Sequence, residues 1–224
     1  MIDLKKYTHI IWDWNGTLLD DSWLCVDVMN GMLKEQNLPP VTLEIYKELF
    51  DFPVRDYYLK LGWDFDKEPF EMVGMKFINR YNNRQGQTRL HGESKHVLER
   101  FAVAGYSQNI LSAREVQKLI AETRLLGIHH FFDRIIGLQD HYAHSKTEVG
   151  SSFVNEISVP KGKILMIGDT IHDADVANEI GIDCVLIPNG HNSASRLEKL
   201  KTVQISSLAE LGELASMLAL RYTP

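Results

Sequence analysis

The run Thr8-His9-Ile10-Ile11-Trp12-Asp13, followed at once by Trp14-Asn15-Gly16-Thr17, decides how the rest of the chain is read. It is continuously apolar rather than alternating and stops on a carboxylate, as a strand covered on both faces does at the edge of its sheet. Comparable runs recur at 108–112, 134–138, 163–169 and 183–188. Between them, Val116, Leu119, Ile120, Thr123 and Leu126 trace one helical face before Gly127, and Ala174, Ala177 and Ile180 do so before Gly181. Each of these helices closes on a glycine stop. Buried strands alternating with helices predict an α/β fold, a Rossmann-like doubly wound parallel sheet. One stretch breaks the rhythm. Leu24, Val28, Met32 and Leu33, then Ile45 and Leu49, then Tyr57, Tyr58 and Leu61, then Phe70, Val73, Phe77 and Tyr81 recur at helical spacing, with Pro39, Pro40, Pro53 and Gly62 as breaks. This predicts a helical cap inserted after the first strand, residues 20–86, with 1–19 and 87–224 forming the α/β core. After about Val203 a short strand and an amphipathic helix built on Leu208, Leu211, Leu214 and Leu218 are expected.

Composition narrows the function classes. At 44% apolar and 24% charged, the 224 residues match a folded globular chain and exclude disordered or coiled-coil readings. Twenty-four Lys plus Arg against 30 Asp plus Glu give a formal charge of −6, with no basic stripe. Nucleic acid is therefore not an expected partner. No apolar run approaches the roughly 18 residues of a membrane span, and the beginning of the chain turns acidic where a signal peptide would show small residues. Cys25 and Cys184 lie far apart without CxxC spacing, as reduced thiols do. The expectation is a cytoplasmic protein without a membrane partner. Tyr7, Trp23, Trp63, Phe131 and Phe132 leave monomer and homodimer both open.

In an open parallel sheet the ligand site lies beyond the carboxyl ends of the strands, and four polar clusters fall there. They are Asp13 with Asn15, Gly16 and Thr17; Ser112 with Ala113; Lys146; and Gly168-Asp169 with Asp173. Each has an ordinary structural explanation. Asp13 can begin an Asn-Gly turn, and Ser112–Glu115 and Ser145–Glu148 both read as helix capping boxes. Two features ask for more. Lys146 would stand in a first helical turn, where the macrodipole disfavours a cation unless an anion faces it. Asp13, Asp169 and Asp173 bring three carboxylates to neighbouring strand ends, a repulsion that a hard divalent cation removes. Oxygen donors without His or Cys favour Mg²⁺. A lysine, a serine hydroxyl, helix N-termini and Mg²⁺ describe a phosphoryl site, with Asp13 the candidate nucleophile.

The four clusters, in order and spacing, resemble the sequential motifs of the haloacid dehalogenase-like hydrolases, and the insert is similar to the cap of their phosphoglycolate phosphatase-like members. The segment 52–58 resembles the substrate-facing cap loop of that branch. The resemblance implies phosphoryl transfer in two steps through an aspartyl-phosphate on Asp13. It implies Mg²⁺ held by Asp13, the Asn15 carbonyl and Asp169, with Asp173 orienting a metal water. Gly16, Ser112, Ala113 and Lys146 would hold the phosphoryl oxygens, and Arg55 in the cap would meet a substrate anion bidentately. The expected substrate is a small phosphorylated metabolite.

One departure matters. Family phosphatases carry a proton-shuttling aspartate two residues after the nucleophile, and this chain has Asn15. Loss of general acid–base help costs about 10²- to 10⁴-fold, so hydrolysis is expected to be weakened unless His172 substitutes or the leaving group, acyl or aryl, needs little protonation. His91, His141 and His144 also fall near predicted loop ends. A mutase, which passes protons both ways, is disfavoured. Phosphonoacetaldehyde hydrolysis needs a cap lysine where Arg55 stands, and dehalogenation does not need the acidic pair Asp169 and Asp173. The alternative from another class is a non-catalytic phospho-ligand-binding or regulatory homologue.

Overall fold

The computed structural model describes residues 2–139 and 145–219. Its elements run β1 (His9–Trp12), β2 (Leu19–Asp20), α1 (Ser22–Glu35), α2 (Leu43–Leu49), α3 (Val54–Lys60), α4 (Phe70–Arg84), β3 (Arg89–Leu90), α5 (Ser94–Val103), β4 (Ser107–Glu115), α6 (Val116–Leu125), β5 (Arg134–Leu138), α7 (Lys146–Glu156), β6 (Ile164–Gly168), α8 (Ile171–Ile180), β7 (Asp183–Leu186), α9 (Ala194–Leu197), β8 (Val203–Gln204) and α10 (Leu208–Ala219).

Six of the strands form one sheet in the order β5-β4-β1-β6-β7-β8, and every neighbouring pair in it is parallel. The continuous apolar runs are explained by its two covered faces. Ile10 and Trp12 point into one cluster with Leu165 and Ile167, closed by Phe101 of α5 and Leu211 of α10. Ile11 points the other way, with Leu111 and Met166, against Phe153 of α7 and Val176 of α8. The chain winds outward from β1 to β5, returns to β6 and winds outward again to β8. The switch point of this doubly wound sheet therefore lies between β1 and β6, where Trp12 stands level with Ile167.

The four helices between β2 and β3 pack around a cluster of their own, with Leu24, Met32, Tyr46, Tyr58, Val73 and Tyr81 among its buried members. The two strands flanking them pair antiparallel, Leu19 opposite Leu90 and Asp20 opposite Arg89. Some expectations need correction. Ile45, assigned to the apolar face of α2, is exposed, and Tyr46 fills the core position instead. Among the aromatic residues considered for a contact surface, Tyr7 and Trp63 are buried while Trp23 is exposed. Ser112 does not cap α6. Glu115 does, its carboxylate accepting from Gln117 N and Lys118 N. The capping box at Ser145–Glu148 is present at the start of α7, and Gly181 closes α8 in the left-handed conformation.

Candidate active site

Asp13 follows the last residue of β1, and its backbone N–H donates to Ile167 O of β6 at 2.8 Å. Asp169 follows β6, and Asp173 lies one helical turn further on in α8. All three are buried, and one carboxylate oxygen from each lies within 4.8 Å of the others. Lys146, buried at the start of α7, reaches between them. Its Nζ bonds Asp13 Oδ1 and, at 2.6 Å, Asp173 Oδ1. The anions that the first-turn lysine meets in this fold are thus carboxylates. Thr17 ties the group together, its hydroxyl donating to Asp169 Oδ1 at 2.7 Å and to Asp13 Oδ2 at 3.3 Å.

The three acids are not equivalent. The second oxygen of Asp173 accepts from Asp169 N, Thr170 N and Thr170 Oγ1 at 3.1, 3.0 and 2.7 Å. Burial works against its charge, but Lys146 and these bonds hold the carboxyl below the usual range. Burial pushes Asp13 upward, with Lys146 opposing. Burial also lifts Asp169, to about 6, against the pull of His191. Three acids beside one lysine leave negative charge uncompensated, and the donors nearby are oxygens.

A second polar network, missed at the sequence level, borders the first. Asp21 precedes α1 yet makes no capping bond to it. Its carboxylate accepts from Gly16 N at 2.9 Å, Tyr81 Oη of α4 at 2.7 Å and Asn15 Nδ2 at 2.8 Å, and it pairs with His191 Nε2 at 3.3 Å. His191 bonds Tyr46 of α2 through Nδ1 at 2.8 Å, and its backbone N–H donates to Asp169 Oδ2 at 2.6 Å. The Asn15 amide is therefore held by Asp21 and, at 3.1 Å, by Tyr81. Small residues allow the approach. Gly16 has φ +79°, and a Cβ there would stand 2.4 Å from Asp169 Oδ2; one on Gly190 would stand 2.0 Å from the same oxygen. Pro188 to His191, beyond the end of β7, was the signal that could have found His191. Nothing local marked Asp21, which looks like a helix start.

Burial opposes charge on His191, but Asp21, by charge and hydrogen bond, outweighs it and lifts the ring to about 9. Asp21 is correspondingly held low: burial opposes its charge, and His191 outweighs the burial. A raised histidine contributes stability fully below its unfolded pKa of 6.5 and loses it as pH climbs through 9; the lowered acid contributes above its ordinary 3.8 and loses it toward acid. The pair is strongest between these limits. We predict that the metal-free protein loses on the order of 3 kcal/mol of stability through this pair between pH 6 and 10. His191→Gln should flatten the pH dependence of thermal unfolding over that window, whereas unchanged slopes would mean that the folded ring is neutral.

Other expected site residues are distributed unevenly. Ser112 is buried at an irregularity in β4, where its Oγ accepts from Arg114 N at 3.1 Å, and together with Ala113 it lines the cavity above Asp13. Arg55 does not line that cavity. Tyr57 and Tyr58 take the buried face of α3, so Arg55 is turned outward with its guanidinium 5.0 Å from the Phe65 ring, which corrects its expected substrate contact. His172 lines the cavity, stacked on Phe52 at 4.2 Å, and burial followed by Lys146 lowers its pKa. That shift disfavours the protonated ring that a general acid at this place would need. His91 meets Gly16 O at 3.0 Å, while His141 and His144 lie outside the described residues. Arg114, not anticipated, also lines the cavity and pairs with buried Glu122, which accepts from Trp14 Nε1. Among the described residues no helix is long and apolar enough to cross a membrane.

With four strand-end clusters meeting at the switch point of a doubly wound sheet, the class of protein is defined by its family. The chain belongs to the haloacid dehalogenase-like hydrolases, whose sequence model matches residues 10–187. Among proteins of known structure it is similar to a haloacid dehalogenase-like family hydrolase from Streptococcus pneumoniae, 22% identical, with a TM-score of 0.79 over 92% of this chain and 97% of that one. It is also similar to a predicted phosphoglycolate phosphatase from Haemophilus somnus, 19% identical, with a TM-score of 0.72 over 93% and 98%. A further relative is the tyrosine-protein kinase PtkA of Mycobacterium tuberculosis, 30% identical over 96 residues. That stretch is 42% of this chain and 33% of the relative, so the match spans about a third of the kinase's length.

Proposed function

We propose that the chain is a Mg²⁺-dependent phosphohydrolase that cleaves small phosphate monoesters through an aspartyl-phosphate on Asp13, with residues 20–86 serving as the cap. The observation that carries this reading is the convergence of Asp13, Asp169 and Asp173 around Lys146. The donor set fits a hard divalent ion: buried carboxylate oxygens, excess negative charge and no thiolate or imidazole among the donors. Asp13, the Asn15 carbonyl and Asp169 would hold the ion directly. Asp173, whose oxygens are already engaged by Lys146 and the α8 cap, would orient a metal water. When bound, Mg²⁺ supplies charge neutralisation for the phosphoryl group.

The chain's own residues then do the following. Asp13 attacks phosphorus; Lys146, Ser112, Ala113 N–H and the amides around Gly16 neutralise the equatorial oxygens; the insert excludes bulk water. Lys146 also aims the Asp13 oxygen and opposes the burial that favours its neutral form. Water finally releases phosphate from Asp13. Asn15, held through its amide, cannot pass a proton, so turnover of alkyl esters is weakened.

The test uses acetyl phosphate, whose leaving group needs no proton. Phosphate release should require added Mg²⁺ and should cease with chelator, and Mg²⁺ should raise the melting temperature by relieving the carboxylate crowding. The same locked Asn15 favours a second reading, a phospho-ligand-binding protein without turnover. Binding of inorganic phosphate with no release from acetyl phosphate would establish that reading instead.

A further inference from the structure

We propose that the substrate is a small aryl phosphate, with the phosphoryl group at Asp13 and the aromatic body held between the rings of the insert. This inference rests on the phosphohydrolase reading above and adds the substrate class to it.

The cavity above Asp13 measures about 590 Å³, the size of a small-molecule site. The insert contributes rings to it: Tyr46, Phe50, Phe52, Tyr57, Phe77 and Tyr81. Four of them form one connected set, with Phe50 stacked on Tyr46 at 5.0 Å and edge-on to both Tyr57 and Phe52, and Phe77 stacks on Tyr81 at 6.3 Å as a second group. A small hydrophilic ester would leave the faces of Phe50, Phe52 and Phe77 wet, whereas a flat apolar body covers them and gains ring–ring contact. Arg55 stays outside the cavity on Phe65, and the cations that line it beside Lys146 come from the sheet side, Lys118 and Arg114, the latter paired with Glu122.

Reaction chemistry points the same way from a different residue. The Asn15 amide donates to Asp21 and has no proton to supply to a leaving oxygen. A phenol, with a pKa of about 10, leaves as phenolate without help, while an alkoxide does not. In the first step the bond from Asp13 Oδ to phosphorus forms and the bond from phosphorus to the aryl oxygen breaks, the electron pair leaving on oxygen, which takes a proton from solvent. Water then attacks phosphorus, the Asp13 bond breaks, and phosphate and a proton are released, so that ester plus water gives phenol plus phosphate.

Three esters separate body from leaving group when compared by kcat/KM, which reports the first chemical step. Benzyl phosphate should exceed ethyl phosphate by at least about tenfold because only the former fills the aromatic cavity. Phenyl phosphate should exceed benzyl phosphate by about 100-fold because its oxygen needs no proton. Ethyl phosphate within threefold of benzyl phosphate overturns the proposal. So does a phosphotyrosine peptide turned over faster than phenyl phosphate, which would make the substrate a protein. If acetyl phosphate is cleaved but phenyl phosphate fares no better than ethyl, this inference alone fails; if acetyl phosphate and all esters are inert, the phosphohydrolase reading fails. Gly74→Phe supplies a second arm. Gly74 lines the cavity on α4 and a Cβ there meets nothing within 4 Å, so a side chain has room to leave the helix there. The ratio of kcat/KM for phenyl phosphate to that for acetyl phosphate should fall about tenfold, and an unchanged ratio overturns the proposed location of the body.

Discussion

Asp13→Asn should lower phosphate release by at least about 10⁴-fold while leaving a folded protein. An amide of the same shape retains the bond to Thr17 but offers no anionic oxygen to phosphorus. Ordinarily, removing one partner of a buried ion pair is costly, because the other charge is stranded. Here Lys146 keeps Asp173 at 2.6 Å, and Asp13 is an acid that burial already pushes toward its neutral form. Thermal unfolding without metal should therefore shift little or upward, and the increase produced by Mg²⁺ should shrink because one carboxylate is gone. Single-turnover release of phosphate from acetyl phosphate is the measurement. A variant within tenfold of the parent would place the nucleophile elsewhere.

Asn15→Asp should raise kcat/KM for benzyl phosphate by about 10²-fold and for phenyl phosphate by less than tenfold. The new carboxyl would stand where Nδ2 now lies, 2.8 Å from Asp21 Oδ2. Asp21 is kept ionised by His191, Tyr81 and Asn15, so a second carboxyl beside it holds its proton to higher pH, as paired acids do. A protonated group facing the leaving oxygen is what an alkyl ester requires. The gain should decay as pH rises and that proton is lost. Equal enhancement of both esters would show that the substitution acts by something other than proton delivery.

Much of this architecture could be read directly from residue pattern. Ile10 to Trp12 and Ile164 to Gly168 are apolar at every position because both faces of their strands are covered, and that lack of alternation announced the parallel sheet. Asp13, Asp169, Asp173 and Lys146 were legible because a doubly wound sheet delivers strand-end residues to one edge whatever their distance along the chain. Side-chain direction was not. Arg55 and Tyr57 are two residues apart in α3, and only packing decides that the tyrosine lines the cavity while the arginine stacks outside it. Ser112 and Glu115 satisfy a capping pattern, yet the strand runs further than its apolar stretch and the glutamate takes the cap alone. The network of Asp21, His191, Tyr46 and Tyr81 joins four separate segments, and no spacing rule relates them.

The antiparallel pairing of Leu19 with Leu90 and Asp20 with Arg89 has a mechanical consequence. Both passages between the sheet and the four helices run side by side, so the helices hang on one axle rather than on two independent tethers. Tyr46 and Asp51 grip the sheet side at different points, through His191 and, at 2.9 Å, through Arg196. Rotation about that axle must release both latches, which ties admission of a molecule to the transient exposure of a charged imidazole and its carboxylate.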